Sequence, residues 1–401
     1  MAQAKYIKRT IEKKIKAYLK QFPAVILTGP RQSGKSTTLK KILAPKYKYI
    51  TLENPSLREN IAADPKLFLG EQPDYIIFDE IQYFPEILVY LKMIIDKERN
   101  KRGRFVLTGS QQFALMKDVT ETLAGRVGIL HLLPLSFGEI NEKNTPLNKF
   151  VNACLRGSFP EMVTHKKYDV RAWYDAYVQT YLERDIKSIY NVGNLRDFHR
   201  FMKLLAARCS QLLNMRDIAQ DLGVAVNTVK KWLSLLETSY NLYLLPPYYR
   251  NIGKRIVKSP KIYFSDVGLL CHLLGIRRRE DLINNPLVGF IFENYCIQET
   301  VKCFENKGIR PEIYYVRTKA GKEIDLIIET PEGFIPVEFK FTKSLTRRMT
   351  APMEYYYDRI RELNLGKGFL VSLIDENIPL SKKITACGFN YYLEYLEKNL
   401  R

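Results

Sequence analysis

Cysteine, histidine and tryptophan are all sparse in this 401-residue chain, at six, four and two residues. Cys154, Cys209, Cys271, Cys296, Cys303 and Cys387 stand singly with no CxxC pair, which excludes a dense disulfide framework and a zinc ribbon. His131, His165, His199 and His272 are equally isolated. The thiols therefore read as reduced core or surface residues. No apolar run exceeds strand length, so no membrane-spanning helix and no membrane partner are expected. The basic N-terminus has no apolar signal region, and the expected location is cytoplasmic. Internal repeats and low-complexity tracts are also missing.

Acid is the other shortage. Lys+Arg number 63 against 43 Asp+Glu, a formal net charge of +20. Residues 1–50 hold 13 Lys+Arg and one acid, Glu12. Such an excess calls for an anionic partner: nucleic acid, nucleotide or acidic lipid. Hydrophobic residues at 46% and charged residues at 26% give an ordinary globular balance. The length is that of two to four domains, at roughly 100–200 residues each.

Ile7, Ile11, Ile15 and Leu19 recur every fourth position, the spacing of an amphipathic helix with a basic outer face. Strand candidates follow at Ala24–Leu27, Tyr49–Leu52, Tyr75–Phe78, Phe105–Leu107 and Ile129–Leu133, with helical stretches between them such as Ser33–Leu43, Pro85–Lys97 and Phe113–Ala124. That alternation predicts an α/β fold with a parallel sheet covered on both faces, spanning 1–139. A helical segment is expected over 140–205, where Trp173, Tyr174, Tyr177, Tyr181 and Leu182 fit a helix core better than a stacking platform. A small helical module with a hairpin is expected over 206–284. A second α/β domain is expected over 285–401, built from a helix Val288–Phe304, strands Glu312–Arg317, Glu323–Ile328, Phe334–Phe341 and Lys367–Leu373, and a short C-terminal segment.

Gly29-Pro30-Arg31-Gln32-Ser33-Gly34-Lys35-Ser36 is a complete GxxxxGKS phosphate loop, placed after an apolar strand and before a helix. Its glycines let backbone N–H groups curl around phosphates, and the helix N-terminus adds positive potential. Lys35 is expected to reach the β- and γ-phosphates of ATP and the Ser36 hydroxyl to ligate Mg²⁺, with Thr37 completing the nucleotide-binding set. Tyr75–Phe78 runs into Asp79 and Glu80, two acids at the C-terminal end of a buried strand, where the ligand crevice of a parallel sheet lies. Asp79 is expected to hold Mg²⁺ through water and Glu80 to orient the attacking water. The plainer reading of this pair is a cap on the next helix. A third strand ends in Ser110 and Gln111, candidates for the γ-phosphate or its water.

Phosphate loop, Asp-Glu strand, polar strand end and a helix finishing in Leu123-Ala124-Gly125-Arg126 together resemble AAA-type ATPases. The resemblance implies that Arg126 reaches a neighbouring subunit's γ-phosphate, and hence a homo-oligomer sharing its sites. A structural salt bridge is the plainer role for Arg126. Ser110 departs from the asparagine often found in that family. The same pieces, with Pro134–Glu139, Tyr181–Asp185, Tyr263–Leu269 and Glu323–Leu326, resemble the widespread bacterial and archaeal AAA-type ATPases with an uncharacterised C-terminal domain, over nearly the whole chain.

Residues 215–236 carry small, turn and core residues (Ala219, Gly223, Val229) at helix-turn-helix positions. Asn227 is expected to cap or begin the second helix and to expose Thr228, Lys230 and Lys231 to DNA. Tyr243–Tyr249 and Lys261–Phe264 would form a wing carrying Arg250, Lys254, Arg255 and Lys258. The same module could serve as a protein interface or a structural lid. Farther on, Glu293, Asp325, Glu338 and Lys340 resemble the metal-binding set of restriction-endonuclease-like nucleases, in which carboxylates hold the metal and a lysine stabilises hydroxide. Strand parity lets these acids converge only if Asp325 lies opposite Glu338 or Lys340. Three functions follow as expectations. The first is an oligomeric ATPase acting on nucleic acid. The second is an ATP-gated metal-dependent nuclease, and the third a nucleotide-controlled switch that binds a protein.

Overall fold

The computed structural model describes residues 6–109, 121–140, 144–182, 195–248, 259–318, 320–360 and 363–400. Five strands, β1 Ala24–Thr28, β2 Lys48–Thr51, β3 Ile76–Asp79, β4 Phe105–Gly109 and β5 Val127–His131, form a parallel sheet in the order β2-β3-β4-β1-β5. Every residue of β1 and β4 is buried, as central strands covered on both faces must be. Successive side chains go to opposite faces. Ala24 and Ile26 join Ile76, Phe78, Phe105 and Leu107 under Leu88, Leu91 and Ile95 of the helix Ile87–Lys97. Val25 and Leu27 join Ile77 and Val106 under Ile11 and Ile15 of the N-terminal helix and Leu39 of the helix Lys35–Leu43.

Of the predicted stripe, Ile11 at the N-cap, Ile15 and the partly buried Leu19 form the seam that docks the helix Glu12–Gln21 onto the sheet, while Ile7 lies before the helix and outside that cluster. Each fully buried Ile contributes about 1.5–3 kcal/mol. β5 starts two residues before the apolar run that marks it, because pairing with β1 (Ala24↔Val127) and not hydrophobicity sets its start.

A helical part follows: Pro146–Arg156, Pro160–Thr164, Val170–Tyr177, Leu195–Ala207, Met215–Leu222 and Val226–Thr238. Tyr174 and Tyr177 are buried in its core. The helix Met215–Leu222 is capped by Asn214, whose side chain accepts from the N–H groups of Arg216 and Asp217, a cap worth about 1 kcal/mol. It ends at Gly223 in a left-handed turn. The next helix begins at Val226 with Ala225 in the cap position. Asn227 thus neither caps nor begins it. Ala225 is already extended there, and Asn227 lies one residue inside the helix. Trp232, Val229 and Leu236 face the core, while Asn227, Lys230 and Lys231 are exposed and Thr228 is half-buried. β6 Leu242–Leu245 and β7 Lys261–Phe264 then pair antiparallel. Arg250, Lys254, Arg255 and Lys258 lie outside the described residues.

The remaining sheet is mixed, in the order β12-β13-β11-β10-β9-β8, with β8 Ile313–Arg317, β9 Glu323–Thr330, β10 Gly333–Phe339, β11 Gly368–Ser372, β12 Ile378–Pro379 and β13 Ile384–Gly388. A long helix, Val288–Asn306, and a terminal helix, Phe389–Asn399, share one face of it. The C-terminal segment is thus two strands and an eleven-residue helix, longer than its sequence suggests, because β13 is short and its pairing partner β11 lies elsewhere in the chain. A single buried cluster runs from Leu133 through the helical part to Leu396. All six cysteines are buried free thiols. No described helix is long and apolar enough to cross a membrane.

Candidate functional site

The phosphate loop leaves β1 at Thr28 and enters the helix at Lys35. Gly29 has φ +148°, and a Cβ there would sit 2.2 Å from the Leu132 carbonyl oxygen; Gly34 has φ +90° at the helix N-cap. Both positions exclude a side chain for reasons of backbone alone. Lys35 is buried, and its Nζ donates to the carbonyls of Gly29 (3.0 Å) and Pro30 (2.9 Å). Burial pushes Lys35 down to about 8, against the upward pull of Glu80 and Asp79.

The Ser36 hydroxyl donates to Asp79 Oδ2 at 2.8 Å, Thr108 Oγ1 donates to Oδ1 at 2.7 Å, and the Tyr49 hydroxyl also donates to this carboxylate. Burial and that bond to Asp79 push Tyr49 well up. Glu80 follows with a positive φ of 54°, uncommon for a side chain of its size, and accepts from Gln82 Nε2. A strained acid one residue beyond a buried strand is the kind of backbone found at functional sites. The loop hydroxyl Ser33 Oγ is buried without a hydrogen-bond partner among the described residues.

A buried ion pair holds the loop from outside. Arg9 donates to the carbonyls of Ser33 (2.9 Å) and Leu133 (2.7 Å) and pairs with Glu139 at 3.2 Å. Burial alone would raise Glu139. Arg9 and the N–H groups of Ser136 and Thr10 outweigh it and hold this carboxyl low. Tyr240, at the end of the second helix of the Met215–Thr238 pair, makes a 2.6 Å hydrogen bond to Thr28 Oγ1 just before the loop. Sequence reasoning missed Arg9, Glu139, Thr108, Tyr49 and Tyr240. Thr108 alone carried a local signal, a polar side chain ending an apolar strand.

Ser110 and Gln111 lie outside the described residues. Arg126 immediately precedes β5, the neighbour of β1, at the end of the strands opposite the phosphate loop. Its guanidinium grips Asp96 through Nε (2.7 Å) and NH2 (3.1 Å).

The second candidate cluster lies on the mixed sheet. Val337 faces Leu326, so the next pair along the ladder sets Glu338 against Asp325, on one face. Asp325 Oδ2 accepts from the Phe339 N–H (3.0 Å) and from Lys340 (3.5 Å), and Lys340 donates to Glu338 Oε2 at 2.8 Å. Glu293 from the long helix accepts from Lys261 (2.8 Å) and from Tyr263 (2.6 Å), and Lys261 also pairs with Glu323 at 2.7 Å.

Burial drives Glu293 up to about 7, helped by the Asp325 charge and opposed by Lys261. Burial and the Asp325 charge together raise Glu338 well above the ordinary carboxylate range. Asp325 is also pushed up by burial, but Lys340 and Lys261 outweigh that and keep it low. Burial lowers both lysines, yet the surrounding carboxylates win and hold their protons tightly. Glu338 Oε1 is buried without a hydrogen-bond partner among the described residues. Lys261, Tyr263 and Glu323 were not foreseen; the shared parity of Lys261 and Tyr263 within an apolar strand was the available signal.

Residues 21–141 match the AAA domain family, residues 147–280 a domain of unknown function (DUF8612) and residues 288–392 another (DUF4143). The uncharacterised protein Rv2008c of Mycobacterium tuberculosis is 31% identical over 385 residues, covering 94% of this chain and 83% of that protein. The uncharacterised protein MJ1544 of Methanocaldococcus jannaschii is 24% identical over 427 residues, covering 98% and 90%. Among solved structures, a Walker-type ATPase of Pyrococcus abyssi aligns with a TM-score of 0.46 at 13% identity, over 67% of this chain and 96% of that one. With the AAA-domain match around an intact phosphate loop, the N-terminal part of the chain has a P-loop ATPase fold, and the chain belongs to the same family as the mycobacterial protein.

Proposed function

We propose that this chain hydrolyses ATP in a homo-oligomer that acts on DNA, and that its units are the ATPase domain 1–139, a helical lid-like segment 140–205, a winged-helix-like module 206–284 and a restriction-endonuclease-like domain 285–401. The observation that carries the ATPase reading is the 2.8 Å contact between Ser36 and Asp79, which joins the loop to the acid at the end of β3. A hydroxyl and a carboxylate so placed, in a loop whose Ser33 hydroxyl is buried without a partner among the described residues, fit an ATP-bound Mg²⁺. Ser36 and Asp79 would hold that ion, which neutralises phosphate charge when bound.

Lys35 carries its charge on neutral carbonyls and can exchange them for the β- and γ-phosphates. Glu80 orients and polarises the attacking water. Because Arg126 stands at the N-terminal end of β5, beside the start of β1 and away from the loop that leaves the other end of that strand, any γ-phosphate it reaches belongs to a second copy, and Asp96 holds it until then. The exposed Lys230 and Lys231 beside Asn227 and Thr228, together with the +20 net charge, support the DNA reading.

The test is ATP turnover by the full chain with and without duplex, single-stranded and branched DNA, across a salt series. Stimulation that fades steeply with salt is the expected result. Turnover indifferent to every DNA, with no DNA affinity at physiological salt, would instead favour the protein-binding switch.

A second reading is favoured by the convergence of Asp325, Glu338 and Lys340 around an unpartnered carboxylate oxygen. Asp325 and Glu338 would hold a divalent ion in an ATP-gated nuclease, with Lys340 beside the scissile phosphate. Cutting that requires Mg²⁺ or Mn²⁺ and vanishes in Lys340→Ala, while ATP turnover survives, is what this reading requires.

A further inference from the structure

A cavity of about 280 Å³ opens where the segment leaving the five-stranded sheet meets the helix Pro146–Arg156 and the long helix Val288–Asn306. No residue of the phosphate loop lines it. Gln298 of the long helix forms part of its wall, is 3% exposed, and has neither its amide oxygen nor its amide nitrogen hydrogen-bonded among the described residues. A buried amide with both ends unmatched is costly unless something completes it.

The neighbouring polar groups are already engaged. Lys302 donates to Glu299 (2.7 Å), the Leu135 carbonyl (3.0 Å) and Ser158 Oγ (3.2 Å). Glu299 Oε2 accepts from the Phe137 N–H at 2.6 Å. Lys302 thus cancels Glu299, the acid among the described lining residues, while Lys149, Arg156 and Lys166 give that described lining surplus positive charge. Phe137, with the Lys149 ammonium 4.4 Å from its ring centre, supplies a flat apolar wall.

We propose that this cavity binds a small phosphate-bearing molecule with a base-like hydrogen-bonding edge, of the size of a nucleoside monophosphate. Gln298 offers one donor and one acceptor side by side, the pairing that reads an amide or nucleobase edge. The cations hold the phosphate, and the ring wall covers the planar part. The volume is near the lower end for ligand sites, roughly 300 Å³, which suits one nucleotide and not a dinucleotide. The inference does not rest on the phosphate loop.

The test is calorimetric titration of the full chain, with ADP–Mg saturating the phosphate loop, against AMP, GMP, CMP and UMP, with inorganic phosphate and the matching nucleosides as separate arms. At least one monophosphate is expected to bind at one per chain, about tenfold or more tighter than phosphate or nucleoside alone. Gln298→Leu should weaken that binding about tenfold and raise the thermal midpoint of the ligand-free chain, because an apolar isostere removes the unmatched amide. Lys166→Ala, an exposed change that leaves the midpoint alone, should weaken binding about threefold and decides the matter if Gln298→Leu fails to fold. The proposal is overturned if no monophosphate binds under ADP or if phosphate alone binds as tightly. It is equally overturned if binding is unchanged in Lys166→Ala or in a folded Gln298→Leu.

Discussion

Two buried sites in this molecule use the same residue types and reach opposite electrostatic states. At the phosphate loop Lys35 lies within reach of two acids, yet its ammonium is bonded to two backbone carbonyls, while Asp79 is taken up by three hydroxyls. On the mixed sheet Lys261 and Lys340 are bonded directly to carboxylates at 2.7–2.8 Å. The proton affinities follow: burial brings Lys35 down to about 8, whereas the acids around Lys261 and Lys340 overcome burial and hold both up. A lysine held by neutral dipoles keeps its charge for an incoming anion. A lysine clasped by carboxylates has spent it. The loop is therefore poised for a polyphosphate, and the sheet cluster is neutralised from within, so an ion entering there must first displace a lysine.

The sharpest way to break this contrast is to remove the poised charge. Lys35→Ala should lower ATP turnover by at least about 10³-fold, while Lys261→Met leaves turnover intact. Steady-state phosphate release by both variants checks this; equal losses would dissolve the distinction. Arg126→Ala should cost about 10³-fold in turnover and spare ATP binding, and mixing it with Lys35→Ala should restore part of the activity if the sites are shared. If no activity returns on mixing, the Asp96 pair is the whole of this arginine's role. Glu80→Gln should retain ATP and slow its hydrolysis about 10²- to 10³-fold, seen as bound but uncleaved nucleotide in single-turnover quench.

The two sites were unequally legible. Loop residues Gly29 to Ser36 are contiguous, and Asp79 and Glu80 end an apolar strand, so short-range pattern was enough to read them. The isoleucines at 11 and 15 likewise marked the seam of a helix that faces the sheet, although that helix starts only at Glu12 and leaves Ile7 outside it. For the second site, parity placed Asp325, Glu338 and Lys340 on the right faces, but only the ladder register could set Asp325 against Glu338. Lys261 was read as part of a wing, because nothing local says that a strand 32 residues before Glu293 will deliver its ammonium there. Arg9 and Glu139 are separated further still and meet only once the sheet is closed. Contacts between distant elements are set by register and packing, to which a residue-by-residue pattern is blind.

The self-neutralised cluster makes a prediction in pH. Glu293 binds its proton more tightly when folded, at about 7 against an ordinary value of 4.5. Its contribution to stability is full below 4.5 and is lost as pH rises through about 7, because the folded state then surrenders a proton that the unfolded chain has already released. Between pH 5 and 7.5 this carboxyl should cost the fold about 2 kcal/mol, and Glu293→Gln should abolish that slope. Urea unfolding of the two proteins across this range reads it directly. The same falling limb in the variant would assign the slope elsewhere and would weaken the picture of acids crowding one another on the mixed sheet.

The smallest expected effect comes from lysines of a third kind, exposed on a helix surface. Lys230 and Lys231 stand on the outer side of the helix Val226–Thr238. Solvent screens their charge, so under the proposed DNA reading each would contribute to binding mainly by releasing counterions. Replacing both by alanine should lower duplex affinity only several-fold at physiological salt and reduce the slope of log affinity against log salt by about two. Basal ATP turnover should not change. A variant with an unaltered slope would remove this helix from the DNA contact and leave the wing or the N-terminal helix to supply it. A loss of basal turnover would mean that the module acts on the phosphate loop through Tyr240, whose hydroxyl already touches Thr28 at the end of β1. A fold-change together with a slope thus separates a lysine that meets a polyanion in solvent from one, such as Lys35, that waits for it inside the protein.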